Sequence, residues 1–485
     1  MNWKAILKIQ GIILIIIAVS MCLPLAFSLY YASGDALDLL LSIGITLVVG
    51  LILAISFKPD KPLRTREGFV IVSMGWISAA IFGALPFFFN GVFDGNFIDC
   101  VFETMSGFTT TGATVLTNIE ILPKGLLFWR SLTHWLGGMG IILLAIIILP
   151  VLGLSSTQLF RAEVPGPTKD KISPKVKNTA MILWLIYLGL TVMETVMLMF
   201  GGMDLFTALC HTFGTLATGG FSTLNASIAG FNSLYIEMVI LVFMFLAGTN
   251  FALHFFVIQG RLGEVIKNRE WQFYVSMVVI TIMLVSLSIF KSDLGYNFGT
   301  SLRYASFQVV SIITTTGYVT TNFELWPAFT KIVLVLLMFV GGCAGSTGGG
   351  MKQIRIMIGG KFVAKEIRKI TYPNALFSLK IGKEHVKEHV MKNVIAFIIL
   401  FIGLFAIINL FLTFRGYDMV TSFSASIATL SNIGPGLARV GAIENYAFFD
   451  NISKVVLTFS MLLGRLELYS VIIMVYYLFN PKKIH

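Results

Sequence analysis

One six-residue stretch, Thr109-Thr110-Thr111-Gly112-Ala113-Thr114, has three imperfect echoes in this chain. They are Leu216-Ala217-Thr218-Gly219-Gly220-Phe221, Thr314-Thr315-Thr316-Gly317-Tyr318-Val319 and Ser431-Asn432-Ile433-Gly434-Pro435-Gly436. Aligned on glycines 112, 219, 317 and 434, the intervals are 107, 98 and 117 residues, so a unit of about a hundred residues occurs four times. Glycine admits positive φ, which lets successive main-chain carbonyls face one side, and a ring of carbonyls replaces the water shell of a bare cation. The chemistry offered is therefore ligand exchange on an alkali ion, with no bond made or broken. The residues that would perform it are Thr110, Thr111, Gly112, Thr218, Gly219, Thr316, Gly317, Asn432, Ile433 and Gly434. Glycines packing helix against helix are the plainer reading of the same pattern.

The elements around each turn decide between the two. Before each glycine lies a short amphipathic run of helical character, at 99–108, 204–215, 299–313 and 418–430. These runs are too short to cross a bilayer, which takes about 20 apolar residues. Apolar stretches that are long enough flank every run, at 68–89 and 125–153, 178–201 and 232–258, 272–290 and 328–358, and 391–414 and 452–479. Two more, 5–30 and 36–57, precede the first unit. The expected fold is an all-α membrane protein of ten crossings. Four membrane-pore-membrane repeats surround a pseudo-fourfold central pore, with an N-terminal two-helix hairpin outside the ring. The corresponding domains are 1–60 for the hairpin, 61–155, 156–260 and 261–360 for the first three units, and 361–485 for the fourth with its cytosolic linker. A turn at membrane depth survives only where it is buried in protein or lines a watery path. Half-helices ending at the turns would aim their negative C-terminal ends at a cation.

Composition agrees, with 56% hydrophobic and 12% charged residues. The net charge of +11 follows topology: with the N-terminus inside, 26 Lys and Arg fall on inner segments and eight outside. Both termini are then cytoplasmic, the turns open outward, and the basic excess faces anionic lipid rather than nucleic acid. Cys22, Cys100, Cys210 and Cys343 form no C-x-x-C pair and read as small packing residues. Lys4 and Lys8 precede an apolar run reaching about residue 30, too long for a signal peptide and read as a retained first helix.

Two further features lie inside spans. The run Gly341-Gly342-Cys343-Ala344-Gly345-Ser346-Thr347-Gly348-Gly349-Gly350 breaks the second span of the third unit, each glycine costing ~1 kcal/mol in a helix. It lacks the Lys-Ser/Thr ending of a phosphate-binding loop, and a passive packing break is its bland reading. Arg465 sits in the last span, where a charge costs at least ~2.5 kcal/mol and marks an ion path or a paired site. Glu467 and Glu194 are its candidate ion-pair partners. The pattern His385-Val386-Lys387-Glu388-His389 matches a zinc-peptidase motif. It falls in a charged linker expected to be helical, with no third ligand, and reads as a solvated face. With the segments at 155–177 and 259–270 this linker offers a docking surface.

Together, the four turns, the glycine-rich break and the lone arginine resemble the Trk/Ktr/HKT superfamily of K⁺ transporters, over essentially the whole chain. The extra hairpin and the length are more similar to the TrkH/TrkG type than to the shorter KtrB type. The resemblance implies a bacterial inner-membrane K⁺ uptake protein that is not an enzyme, with K⁺ as transported ion at the filter residues and no covalent cofactor. It implies a homodimer with one pore per subunit, governed by a cytosolic ring of TrkA-type nucleotide-binding subunits. It implies that Gly341, Gly342, Gly345, Gly348, Gly349 and Gly350 form an intramembrane loop that obstructs the path and moves to open it. Arg465 would project beneath the filter, repel cations and hold the loop closed. One shared glycine per turn, against two in the filter of K⁺ channels, suggests fewer ion sites, modest K⁺ over Na⁺ discrimination and passage of Rb⁺. Symport with protons stays open, although scarce titratable residues lean toward channel-like conduction. The rivals are a secondary transporter of another solute, which would show two related halves and broken helices near the midplane rather than four pore units, and a membrane-embedded enzyme, which would need convergent catalytic side chains.

Overall fold

The structure, a computed structural model, describes residues 1–58, 63, 65–140, 176–375, 377–382 and 384–479. The end of the expected span 125–153 and the basic segment 155–177 largely lie outside the described residues. The architecture is an all-α membrane protein in which an N-terminal hairpin leans on four repeated units. In the hairpin, Trp3–Tyr31 passes Ala36–Ser56 closely enough that a Cβ on Gly11 would stand 2.6 Å from the Gly50 carbonyl oxygen. Small residues let the two backbones touch. Gln10, buried, donates to the Ile71 carbonyl at 2.9 Å and ties the hairpin to the first unit. A second tie is Asp35, fully buried, whose carboxylate accepts from the Leu126 N–H at 2.7 Å and from the Ser28 hydroxyl. Leu126 lies in the first turn of helix Lys124–Gly138, where N–H groups have no partner within the helix and a negative charge is favoured.

Each unit opens with a long helix: Thr65–Gly83 continued by Leu85–Asn90, then Val176–Phe200, Arg269–Phe290 and Glu388–Phe414. A half-helix follows in each: Phe97–Phe108, Leu205–Leu216, Phe298–Ile313 and Met419–Leu430. At 12 to 16 residues they reach about 18–24 Å, short of the ~30 Å hydrocarbon layer. All four begin on an Asn or Asp cap: Asn96, Asp204, Asn297 and Asp418 accept from the N–H groups of Ile98, Thr207, Thr300 and Thr421 at 3.2, 3.4, 2.8 and 2.9 Å. Such a cap fixes where the helix starts, and hence how deep its other end reaches.

The second helix of the units departs from the continuous spans expected for the second and fourth. Leu234–Ala247 turns by 102° into Phe251–Ile258, and Asn451–Arg465 turns by 113° before the helix that starts at Tyr469. In the third unit Ala328–Val340 and Gln353–Thr371 are separated by the glycine run, as expected. Asn250 stabilises the first of these bends by capping the new helix, accepting from Ala252 N–H at 2.8 Å. At the last one Glu467 and Leu468 take positive φ, 51° and 64°, without any glycine to announce it. Among the described residues six helices are long and apolar enough to cross, or eight with the two bent pairs, against ten expected. The second helices of the first and third units account for the difference: the first is described only to residue 140, and the third is cut by the glycine run into Ala328–Val340 and the charged Gln353–Thr371.

Two further expectations change. The linker is not one charged helix: Lys380–Ile381 pairs antiparallel with Glu384–His385 around Gly382 at φ 59°, and the helix begins only at Glu388. His385 and His389 therefore do not share a helix face, and among the described residues no group of three His, Cys, Asp or Glu could hold a metal. Cys22 is exposed on the outer surface, whereas Cys100, Cys210 and Cys343 are buried as packing residues. If Asp35 anchors the hairpin, Asp35→Ala will lower stability by about 2 kcal/mol, the size of a buried charge-assisted bond, read as an earlier thermal unfolding midpoint in detergent. An unchanged midpoint would mean the hairpin is held by packing alone.

Candidate functional site

All four half-helices end in the same way. Thr110, Thr218, Thr315 and Asn432 take the left-handed conformation, with φ of 54°, 55°, 61° and 55°. Their N–H groups bond to the carbonyls of Gly107, Thr215, Ile312 and Thr429 at 3.0, 3.0, 3.0 and 3.3 Å. The following N–H groups, of Thr111, Gly219, Thr316 and Ile433, reach back to Ser106, Gly214, Ser311 and Ala428 at 2.9, 2.8, 2.8 and 2.8 Å. This pair of bonds closes a helix end and normally uses glycine at the left-handed position. Three β-branched threonines there cost ~1–2 kcal/mol each, a conformation that persists only where the surroundings impose it.

Two residues after each left-handed position comes a glycine that is also at positive φ: Gly112, Gly220, Gly317 and Gly434, at 77°, 78°, 82° and 93°. The second turn is therefore shifted by one from the sequence alignment. Gly220 is the counterpart of the other three glycines, and Gly219 stands where Thr111, Thr316 and Ile433 stand.

In this register the four turns form a closed cycle. A Cβ on Gly112 would lie 2.1 Å from the Gly219 carbonyl oxygen, one on Gly220 2.0 Å from that of Thr316, and one on Gly317 2.1 Å from that of Ile433. One on Gly434 would lie 2.7 Å from the carbonyl of Thr111, which returns to the first turn. Each glycine is thus required by the main chain of the next unit. The structure brings all ten sequence-predicted turn residues into this one ring.

Side chains brace the ring from behind, and most were invisible to sequence reasoning. The hydroxyls of Thr109 and Thr111 bond at 2.8 Å, as do those of Thr314 and Thr316. Asn432 reaches across to the Thr111 hydroxyl at 2.9 Å. The Tyr318 hydroxyl donates to the carbonyls of His211 and Phe221, and the Tyr446 hydroxyl to that of Gly434 at 2.7 Å. Buried Glu103 accepts from Val115 N–H, the Thr114 hydroxyl and Arg130 Nε, the last at 2.7 Å. His211 meets the Ser222 hydroxyl at 3.0 Å. Glu103 and His211 occupy the same position, seven residues before the left-handed threonine, and Ser222 is the counterpart of Thr114. Aligning the repeats in the right register would have exposed both as polar residues within apolar half-helices.

On the side where the loops after the turns gather, a cavity of about 200 Å³ is lined by Gly112, Gly220, Gly317, Gly434 and Tyr446, among others. On the opposite side lies the glycine run. Gly349 N–H donates to the Thr315 hydroxyl at 2.7 Å, Gly350 N–H to the Ser431 carbonyl at 3.1 Å, and the Thr347 hydroxyl to the Leu216 carbonyl at 3.0 Å. A Cβ on Gly349 would sit 2.2 Å from the Ser431 carbonyl, and one on Gly348 2.9 Å from that of Thr314. Gly341 packs against the loop's own Gly349, Gly342 against Gly248, and Gly345 against Asn250. Glu270 holds the run from its other face, accepting from Ala344 N–H at 2.7 Å and Ile354 N–H at 3.2 Å.

Arg465 joins this assembly. Its guanidinium donates to the Thr347 carbonyl at 2.7 Å and to the carbonyls of Gly137 and Gly138 at 2.6 and 2.8 Å. Glu467, one of its candidate ion partners, pairs instead with Arg355.

Comparison with known proteins gives a consistent picture. The TrkH family, described as cation transport protein, matches residues 40–483. The chain is 38% identical to the Trk system potassium uptake protein TrkH of Salmonella typhimurium, over 99% of both chains. It is 33% identical to the Trk system potassium uptake protein TrkG of Escherichia coli, over 97% of both. The crystal structure of the potassium transporter TrkH from Vibrio parahaemolyticus superposes with a TM-score of 0.88 at 35% identity, covering 98% of each chain.

The cycle of contacts predicts a graded response to added methyl groups. Gly220→Ala meets the Thr316 carbonyl and should lower stability by about 2–4 kcal/mol, combining overpacking with strain. Gly260→Ala, at φ 74° with nothing within 4 Å, should lose only about 1 kcal/mol. Thermal unfolding in detergent reads both, and equal shifts would contradict the close approach.

Proposed function

The chain belongs to the TrkH family of cation transport proteins, and on that premise we propose that it is the ion-conducting membrane subunit of a bacterial Trk-type K⁺ uptake system. The observation that carries this reading is the closed cycle in which each turn's glycine abuts the next turn's carbonyl. Four peptide segments crowded on one axis leave their remaining carbonyls nowhere to turn but inward, where a dehydrated cation is the natural partner. Four half-helices end on the ring, and their partial negative charge adds to the attraction. Thr110, Thr111, Gly112, Thr218, Gly219, Thr316, Gly317, Asn432, Ile433 and Gly434 act as the filter, with Gly220 added by the corrected register. The side chains differ between turns because main-chain oxygens do the coordinating. Negative membrane potential drives entry, worth ~2.3 kcal/mol per charge per 100 mV.

In this reading the glycine run is the closed gate. Gly348, Gly349 and Gly350 press against the underside of the third and fourth turns, and Thr347 against the second. Arg465 fastens that loop to the end of the first unit's second helix, through three carbonyls, and places a positive charge below the ring. The boundaries 1–60, 61–155, 156–260, 261–360 and 361–485 describe the hairpin and the four units. The basic residues set both termini in the cytoplasm and the cavity above the ring outside. A homodimer docking a TrkA-type nucleotide-binding ring on its inner face completes the system, with the exposed helix Leu262–Lys267 and the 361–392 linker as contact surfaces. Four half-helices closing on one ring fit four pore units rather than the two related halves of a solute transporter, and it is this count, not the broken second helices, that separates the two.

The test is flux through purified protein in liposomes, comparing K⁺, Rb⁺ and Na⁺. Arg465→Ala should raise K⁺ flux several-fold, because it frees the Thr347 carbonyl and removes the charge from the path. A well-folded variant with unchanged or lost flux would contradict the gate role.

A further inference from the structure

The second turn lacks what braces the first and third. There the residues flanking the left-handed threonine are threonines whose hydroxyls bond at 2.8 Å, Thr109 with Thr111 and Thr314 with Thr316. In the second turn the same positions hold Ala217 and Gly219, so no hydroxyl pair exists there. The space is nevertheless filled. A Cβ on Gly219 would stand 2.4, 2.5 and 2.6 Å from Nδ1, Cε1 and Cγ of His134, so an imidazole occupies the volume a side chain at 219 would take. His134 is fully buried and comes from helix Lys124–Gly138, which belongs to the neighbouring first unit. Its ring stacks on Phe221 with centroids 4.0 Å apart and planes 15° from parallel. The opposite neighbour of that Phe221 ring is the Arg130 guanidinium, 3.5 Å from its centroid and locked by Glu103 and the Ser222 carbonyl. The imidazole is thus wedged between a fixed aromatic plane and the Gly219 backbone.

We propose that His134 is a positioning residue for the proposed filter, standing in for the absent threonine brace of the second turn and fixing where the Gly219 carbonyl points. The Gly219 carbonyl is the one against which Gly112 packs, so its placement sets the spacing between the first and second turns. The ring is then braced by different devices: hydroxyl pairs within units one and three, an imidazole lent across the boundary between units one and two, and in the fourth turn the Asn432 amide that reaches the Thr111 hydroxyl. The glycine at 219 is a consequence of His134, and the two positions should be exchangeable only together. This inference rests on the reading of the four turns as the ion filter.

The experiment uses the full-length protein in liposomes and reads the K⁺ to Na⁺ flux ratio. His134→Ala opens a void behind Gly219 and should lower that ratio several-fold while K⁺ flux persists. Gly219→Thr alone collides with the imidazole and should lose flux or folded protein. His134→Ala combined with Ala217→Thr and Gly219→Thr rebuilds the brace of the other turns and should recover flux and most of the ratio. A folded His134→Ala protein with the original ratio overturns the proposal. So does a combined variant no better than Gly219→Thr, which decides the matter if His134→Ala is not recovered folded. Gly317→Ala is measured alongside: if it too leaves the ratio unchanged, the filter reading itself fails, whereas a changed ratio there confines the failure to His134.

Discussion

Peptide groups that leave a helix in the middle of a bilayer have no water to bond with, and hydrocarbon offers nothing in exchange. Four half-helices of this chain stop at that depth, and the structure resolves the difficulty by making each stop the wall of the next. The two N–H groups after each helix's C-cap fold back on carbonyls of its last turn, which would otherwise be left unpaired. The glycine that follows presents a bare Cα to the neighbouring carbonyl at distances no side chain would tolerate. The cycle runs from the first turn through the second, third and fourth and back, so no turn holds its shape alone. Threonines at positive φ, costly in isolation, are tolerated for the same reason.

The ring is repeated in backbone but not in side chains. Glu103 with Arg130 holds the strand after the first turn, and His211 with Ser222 the strand after the second. Tyr318 of the third unit braces the second, and Asn432 of the fourth reaches into the first. Equivalent positions such as Glu103 and His211 thus solve one mechanical problem with different chemistry. The loop beneath follows the same logic in reverse: only glycines can lie so close to the carbonyls of Thr314 and Ser431, and Arg465 and Glu270 grip it from the sides.

Much of this was legible in the sequence, because membrane segments declare themselves by length and apolarity, and because three of the four glycines stand in one register. The half-helices appeared within a few residues of their observed limits, each starting at an Asn or Asp cap. The second turn misled because it offers adjacent glycines, and the one nearer Thr218 looks like the match; only backbone φ separates Gly219 from Gly220. The bend at 466–468 left no trace, since Leu466, Glu467 and Leu468 are ordinary helix formers and the left-handed conformations of the last two are imposed by the fold. The strand at His385 was hidden for the opposite reason: a charged linker with i, i+4 pairs reads as helix, and one turn at Gly382 decides otherwise. Bracing residues such as His134 and Tyr318 act through contacts across unit boundaries, which no local pattern reveals.

The central claim is that the main-chain oxygens of the four turns, and not side chains or the cavity above them, hold the transported ion. Anomalous diffraction from crystals grown in Rb⁺ or Tl⁺ tests it most directly. The account predicts density on the axis of the ring, within coordination distance of carbonyls from residues 110–112, 218–220, 315–317 and 432–434. Ions bound only elsewhere, or a ring axis empty at saturating concentration, would contradict it.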